Sequence, residues 1–461
     1  MHIIIQGGEK MGNSLEEKCS SWMEHVTLLL LFLAFFILTL CQTGTVLVIG
    51  LVGIILCMTG MMQPAAKVDL WILLPLIFYN VMSACSSYAV YGNFVKGFAS
   101  TQSIFPVMLL LLSYLSAEER VLLKRLSVVW MSMIAAMGIL QFVADALQGD
   151  AGRLGGVFGN PNALGTFLII GWFAAISCKE DKKTDEGGWN RVFSYAEPLL
   201  LIALALTLSM GSFLSMAIGL LVMIVLRRYT TNEIASLFAR VGFGVGTGLL
   251  LYIAGDKTNA PWVCAVMFIY CLIAIVMWSR LERFLNESPL TSFFMVGVGT
   301  LGALGAILLR PNATATFAER IGMMRNGLGY FFVNPILGVG PQQWRILNLQ
   351  DSDKYFNTWH IHNIFIHVGV ELGLVALAML LIIVLRHYKK KESAAQRSGF
   401  TAALVHSFMD TTFLYVAAVP FVMLTTEDDE AKKQVISEKV TRLIFGSFAL
   451  YFAYNVYCCV V

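Results

Sequence analysis

The stretch Ile364-Phe-Ile-His-Val-Gly-Val-Glu371-Leu-Gly-Leu-Val-Ala-Leu-Ala-Met-Leu-Leu-Ile-Ile-Val-Leu-Arg386 reads as one transmembrane helix. It is almost wholly apolar and, at helical rise, long enough to cross the roughly 30 Å hydrocarbon core of a bilayer. His360-Ile-His-Asn363 stands just ahead of it, and His367 and Glu371 lie inside it. Ionisable groups are costly in lipid, so such side chains face a bundle interior and mark structure or function.

Comparable runs recur at 26–41, 44–62, 69–90, 103–117, 127–147, 161–178, 194–209, 211–226, 236–254, 260–278, 290–309, 361–386, 398–424 and 441–460. The chain is 57% hydrophobic and only 13% charged, with mean hydropathy +0.73, whereas soluble domains are about one quarter charged. These runs lack the alternation of an outer-membrane barrel, and backbone groups in lipid must be satisfied within their own segment. The expected fold is therefore all-α, a polytopic membrane bundle of about 13 or 14 helices with one large loop, 310–360, containing short helices. Residues 1–25 form a polar amino-terminal segment, 26–150 the amino-terminal helices, 151–424 the core, and 425–461 a charged segment with the last helix. The first 25 residues lack the layout of a cleavable signal, so the first run is expected to be retained.

Net charge is only +3, but the basic residues gather in alternate loops. They are Lys10 and Lys18, Lys67, Arg120 with Lys124 and Arg125, Lys179 to Lys183, Arg227-Arg228, Arg280 with Arg283, and Arg386 with Lys389 to Lys391. The positive-inside rule makes these loops and the amino terminus cytoplasmic. Outward-facing loops are then 41–44, 91–102, 148–160, Ser209-Met210-Gly211, 255–259 and 310–360.

Nine cysteines sit singly or as the Cys458-Cys459 pair without C-x-x-C spacing, and read as small buried hydrophobes. His360, His362 and His367 do not follow metallohydrolase spacings, so no metal is expected. There is no phosphate-binding glycine loop, dinucleotide fingerprint or basic-aromatic surface. ATP-driven work, nucleic-acid binding and a cofactor are accordingly unsupported.

Three outward features carry polar chemistry. In RLGGVFGNPN (153–162), Asn160 suits a helix N-cap, Pro161 the first turn, and the glycines allow close backbone approach. A helix amino terminus beside Arg153 is a ready anion site, and equally a capped helix entry with Arg153 reaching lipid head groups. Next, a helix is expected over about 315–331 with Arg320 and Arg325 on different faces, followed by the Pro and Gly turn from Asn334 to Pro341. Finally, Asn363, His367 and Glu371 share one helical stripe, while His362 sits at the mouth with its ring free to face an external cavity.

Together these segments resemble the O-antigen ligase and O-antigen polymerase superfamily over about residues 150–420. RLGGVFGNPNALG (153–165) is similar to its external arginine and N-P-N signature, and LTLSMGSFLS (206–215) to its paired-helix turn. ERIGMMRNGLGYFFVNPILGVGP (319–341) resembles its arginine helix and P-x-x-G-x-G turn. HNIFIHVGVELG (362–373) resembles its H-N and E-x-G helix, and HSFMD (406–410) is a weaker fifth match.

The resemblance implies a metal-independent membrane glycosyltransferase on the outer face of the bacterial cytoplasmic membrane. Its donor would be a glycan on undecaprenyl pyrophosphate, and its acceptor a hydroxyl on a glycan, lipid or protein. Arg153 and Arg320 would hold the pyrophosphate, with Asn160, Asn162, Arg325 and Asn363 lining the substrate. His362 would take the acceptor proton, and Glu371, His406 and Asp410 would support these groups. Arginine stabilises a diphosphate leaving group bidentately, and an imidazole near neutral pKa suits a general base. In much of the family the tight turn reads Ser-Arg-Gly, whereas Met210 stands here. A methionine cannot supply that charge, so either another arginine such as Arg325 or Arg153 compensates, this subfamily never needed it, or the chain has lost activity. The alternative from another class is a lipid-linked glycan flippase or polysaccharide transporter, which calls for polar residues along a central route and internal repeats.

Overall fold

A computed structural model describes residues 22–40, 45–180, 188–258, 260–297, 313–350, 356, 358–388, 393–414 and 433–461. Helices dominate. In chain order they are α1 (Trp22–Leu40), α2 (Thr45–Met61), α3 (Leu70–Tyr91), α4 (Val95–Thr101), α5 (Ile104–Leu112), α6 (Ala117–Leu147), α7 (Pro161–Glu180) and α8 (Trp189–Thr207). There follow α9 (Met210–Arg227), α10 (Thr231–Tyr252), α11 (Pro261–Glu287), α12 (Ala313–Val333), α13 (Gln343–Gln350), α14 (Ile364–Tyr388), α15 (Ala394–Ser407) and α16 (Glu438–Val460). Strands β1 (Ala66–Val68) and β2 (Gln434–Ile436) form one antiparallel pair with Lys67 opposite Val435.

Among the described residues nine helices are long and apolar enough to cross a membrane: α1, α3, α6, α7, α9, α10, α11, α14 and α16. The chain is a multi-pass helical membrane protein. Two expected spans are shorter than their apolar runs. Within 103–117, α5 has nine residues, and the Ser116–Glu119 capping box then starts α6. Within 398–424, α15 stops at Ser407, where a turn brings Asp410 N to 2.8 Å from His406 O. Residues 298–309 and 415–424 of the expected runs lie outside the described residues.

The centre of the bundle is α7, buried at every position from Ala163 to Cys178. It packs against α6, α8, α9 and α15, which is why it is apolar all round. The amino-terminal helices are not a separate unit, because α2 packs along α16 and α3 along α14. Gly53 and Gly60 face Phe452 and Phe445 with no room for a side chain, so small residues let α2 and α16 close up. At the Lys179 end of α7 a buried charge network joins four helices. Lys179 Nζ lies 3.0 Å from Glu197 and 2.8 Å from Glu282, and Arg240 Nη1 lies 2.9 Å and 2.8 Å from the same two carboxylates.

The run 361–386 is not one continuous helix. Gly373 has φ 78° inside α14, a left-handed conformation, and a side chain there would strike the Ile336 carbonyl. The turn from Asn334 to Pro341 docks into this break. Val339 N donates to Val370 O at 2.8 Å, Gly340 N to Glu371 O at 2.9 Å, and Leu374 N to Pro335 O at 2.8 Å. Interrupted backbone at membrane depth needs such partners. From α3, the Tyr91 hydroxyl donates to Pro341 O at 2.9 Å and holds the same turn.

Candidate active site

At the other end of α7, Asn160 caps the helix: its Oδ1 accepts from Asn162 N at 2.9 Å and from Ala163 N at 3.4 Å. Pro161 occupies the first position, where a missing N–H costs nothing. Asn162 reaches across to α9, and its Oδ1 accepts from Ser209 Oγ at 2.9 Å and from Arg153 Nη2 at 3.4 Å. Arg153 Nε donates to Thr207 O at 2.9 Å. One guanidinium thus ties the α7 entry to the α8–α9 turn. In that turn Leu208 adopts φ 45°, a conformation that a non-glycine residue holds only when its surroundings fix it.

From this entry a polar chain leads to α15. Thr166 Oγ1 and Thr412 Oγ1 lie 2.8 Å and 2.7 Å from His406 Nδ1. Beyond it sits Asp410, 1% exposed. Its Oδ1 accepts from Thr411 N at 2.8 Å and pairs with His362 Nδ1 at 3.1 Å, while Arg320 Nη2 lies 3.9 Å from Oδ2. Burial alone would raise the Asp410 pKa. The hydrogen bond and charge of His362, with His406 and Arg320 adding, outweigh it and hold the carboxyl well below the usual carboxylate range. An ionised carboxylate only accepts, so His362 donates to it from Nδ1, and in the neutral ring Nε2 would carry the lone pair.

The other expected residues divide. Asn363 Oδ1 caps α14, accepting from Phe365 N and Ile366 N at 3.1 Å each, and its Nδ2 donates to Phe408 O at 3.3 Å. It therefore braces the turn that carries Asp410. Glu371 lies under the docked turn, its Oε1 accepting from Trp344 N at 3.3 Å, and Oε2 is 3.6 Å from His367 Nε2. His367 Nε2 in turn lies 3.3 Å from His360 Nδ1. His360 precedes the span; burial pushes its pKa down to about 4, with Asp410 opposing and His362 reinforcing that shift. Arg325 is exposed on α12, away from the partly buried face of Arg320.

No family model matches this chain, and no curated protein matches it in sequence. The site therefore stands on its own chemistry. It offers an imidazole oriented by a buried carboxylate, a guanidinium on the same carboxylate, and a second guanidinium across a network of hydroxyls and amides. Among the described residues no group of three or more His, Cys, Asp or Glu is placed to hold a metal. Thr166, Thr207 and Thr412 complete the network with Ser209 of the tight turn, and these three threonines were not singled out from sequence. Only their neighbourhood pointed to them, since an isolated hydroxyl in an apolar run most often bonds its own helix.

Proposed function

We propose that this chain is a membrane glycosyltransferase that moves a glycan from undecaprenyl pyrophosphate onto an acceptor hydroxyl, in the manner of O-antigen ligases and polymerases. The observation that supports it most is the His362–Asp410 pair with Arg320 beside it. A base for a hydroxyl needs a free imidazole nitrogen held in one tautomer, and this pairing supplies one.

In the reaction, the acceptor O–H proton passes to His362 Nε2 as the oxygen attacks the anomeric carbon of the donor. The bond from that carbon to the diphosphate oxygen breaks, and undecaprenyl diphosphate leaves with the electron pair. Asp410 stabilises the imidazolium that forms, and Arg320 and Arg153 stabilise the departing charge. In this reading the active face is the external one of a bacterial cytoplasmic membrane, and the basic residues in the loops at the opposite end support that orientation.

The test separates binding from chemistry. His362→Ala in purified protein is expected to abolish transfer of labelled glycan while undecaprenyl diphosphate still binds. Arg320→Ala is expected to weaken both, and Arg320→Lys to rescue only partly, because an ammonium lacks the planar fork. Transfer at near wild-type rate by well-folded His362→Ala protein would remove the base from this reading.

A further inference from the structure

The segment 313–363 holds two tryptophans, and the fold treats them in opposite ways. Trp344 is fully buried in a small core with Met323, Ile361 and Val370, whereas Trp359 is 61% exposed. An indole is mostly apolar surface and is highly buried on average, so one left outside needs a reason.

That exposure is not slack in the chain. On one side of Trp359, Phe356 is clamped by Asn348, whose Oδ1 accepts from Phe356 N at 2.9 Å and whose Nδ2 donates to Phe356 O. On the other side Ile361 is fully buried and packs against Gly327 of α12, where a side chain would collide with its Cδ1. Trp359 stands between these two anchors on a bend outside any helix. The Arg345 guanidinium of α13 lies over its ring, 4.0 Å from the centroid. One face is therefore covered and the plane is held by a cation–π contact, which leaves the opposite face open. Among the described residues Arg345 makes no hydrogen bond or ion pair, so its N–H fork is unspent at the rim of the ring. His362 follows three residues later, at most about 11 Å away along the chain.

We infer that the open face of Trp359 is a stacking platform for a pyranose ring of the acceptor glycan, with Arg345 as the residue that positions the indole. This rests on the proposed transfer reaction and adds to it a group that holds the acceptor beside the base. A pyranose presents a face of weakly positive C–H bonds, which suits the negative face of an aromatic ring, and a rim of hydroxyls, which suits an unspent guanidinium. A general base acts only on a hydroxyl held within hydrogen-bond reach. Binding away from the reacting atoms is what holds it there, and a sugar ring stacked near His362 meets that need.

The experiment is steady-state transfer by purified full-length protein in nanodiscs, with acceptor and donor concentrations varied separately. Trp359→Ala should raise the acceptor KM about three- to tenfold, the scale of one aromatic stacking contact, while kcat at saturating acceptor, donor KM and thermal unfolding are kept. Trp359→Tyr should recover most of the loss, and Arg345→Ala should raise the acceptor KM by a smaller factor. An unchanged acceptor KM in folded Trp359→Ala, or a fall in kcat without a rise in that KM, would overturn the inference and leave the proposed function standing. Quenching of tryptophan fluorescence by brominated lipid that is lost in Trp359→Ala would place the ring in the bilayer and also overturn it. Wild-type protein that transfers glycan to no acceptor would overturn the proposed function. Titration with free maltotriose, chitotriose and trigalacturonate then decides the platform by itself. A fluorescence shift that is lost in Trp359→Ala keeps it, and no shift with any of the three removes it.

Discussion

Replacing Asp410 by asparagine keeps the shape of the side chain and removes the charge that faces His362 and, more distantly, Arg320. Thr411 N donates to Asp410 Oδ1, the same oxygen that accepts from His362 Nδ1. An asparagine must therefore keep its carbonyl oxygen at that place, and His362 keeps its tautomer. What is lost is attraction between the carboxylate and the imidazolium that forms in the transition state. At about 4 Å and an effective dielectric constant of about 20, that attraction is about 4 kcal/mol. The His362 side chain is 23% exposed, and solvent screening reduces the expected cost to about 2–3 kcal/mol, or roughly 30- to 200-fold in kcat. The assay is single-turnover transfer of labelled glycan in nanodiscs, with donor affinity measured separately and expected to change little. Folded Asp410→Asn protein with kcat within about threefold of wild type would refute an oriented, charge-stabilised base.

Two further outcomes concern the fold. Glu197→Gln removes the buried carboxylate and leaves Lys179 and Arg240 with the half-buried Glu282 alone, and should cost about 3–5 kcal/mol, read as a lower unfolding temperature; an unchanged unfolding temperature would show that the network contributes nothing. Stability should also fall with acid. His360 is held at about 4 in the folded chain against 6.5 unfolded, so the unfolded chain binds more protons in that window and stability declines as pH drops through it. Asp410, whose folded pKa is depressed, adds to the loss below the ordinary carboxylate range. A His360→Asn variant should flatten the decline between pH 6.5 and 4, and an unflattened curve would assign it elsewhere.

The spans were legible because length and apolarity are local properties, and the Asn160 cap was legible because capping is a property of three adjacent residues. The break in α14 was not, although Gly373 stands two residues after Glu371: hydropathy is blind to φ, and the partners that make the break tolerable come from the turn 334–341. The capping by Asn363 was not legible, since a polar residue at a helix mouth looks the same whether it faces substrate or caps its own helix. The weight of Asp410 was underestimated because its partner His362 is 48 residues away, and spacing does not encode pairing across a bundle. Glu197, Arg240 and Glu282 escaped notice for the same reason, each lying in or beside a separate apolar run, with Glu282 set between Arg280 and Arg283.

The central claim is that this chain forms a glycosidic bond at the expense of a diphosphate-linked sugar. Purified protein in nanodiscs, given a defined undecaprenyl-pyrophosphate glycan and candidate acceptors, should yield a product heavier than the acceptor by the glycan less water's elements, as mass spectrometry would register. One undecaprenyl diphosphate should be released per bond formed, and none by the His362→Ala protein. Donor that stays intact with every acceptor while crossing a sealed bilayer only when the protein is present would contradict the claim and make the chain a transporter.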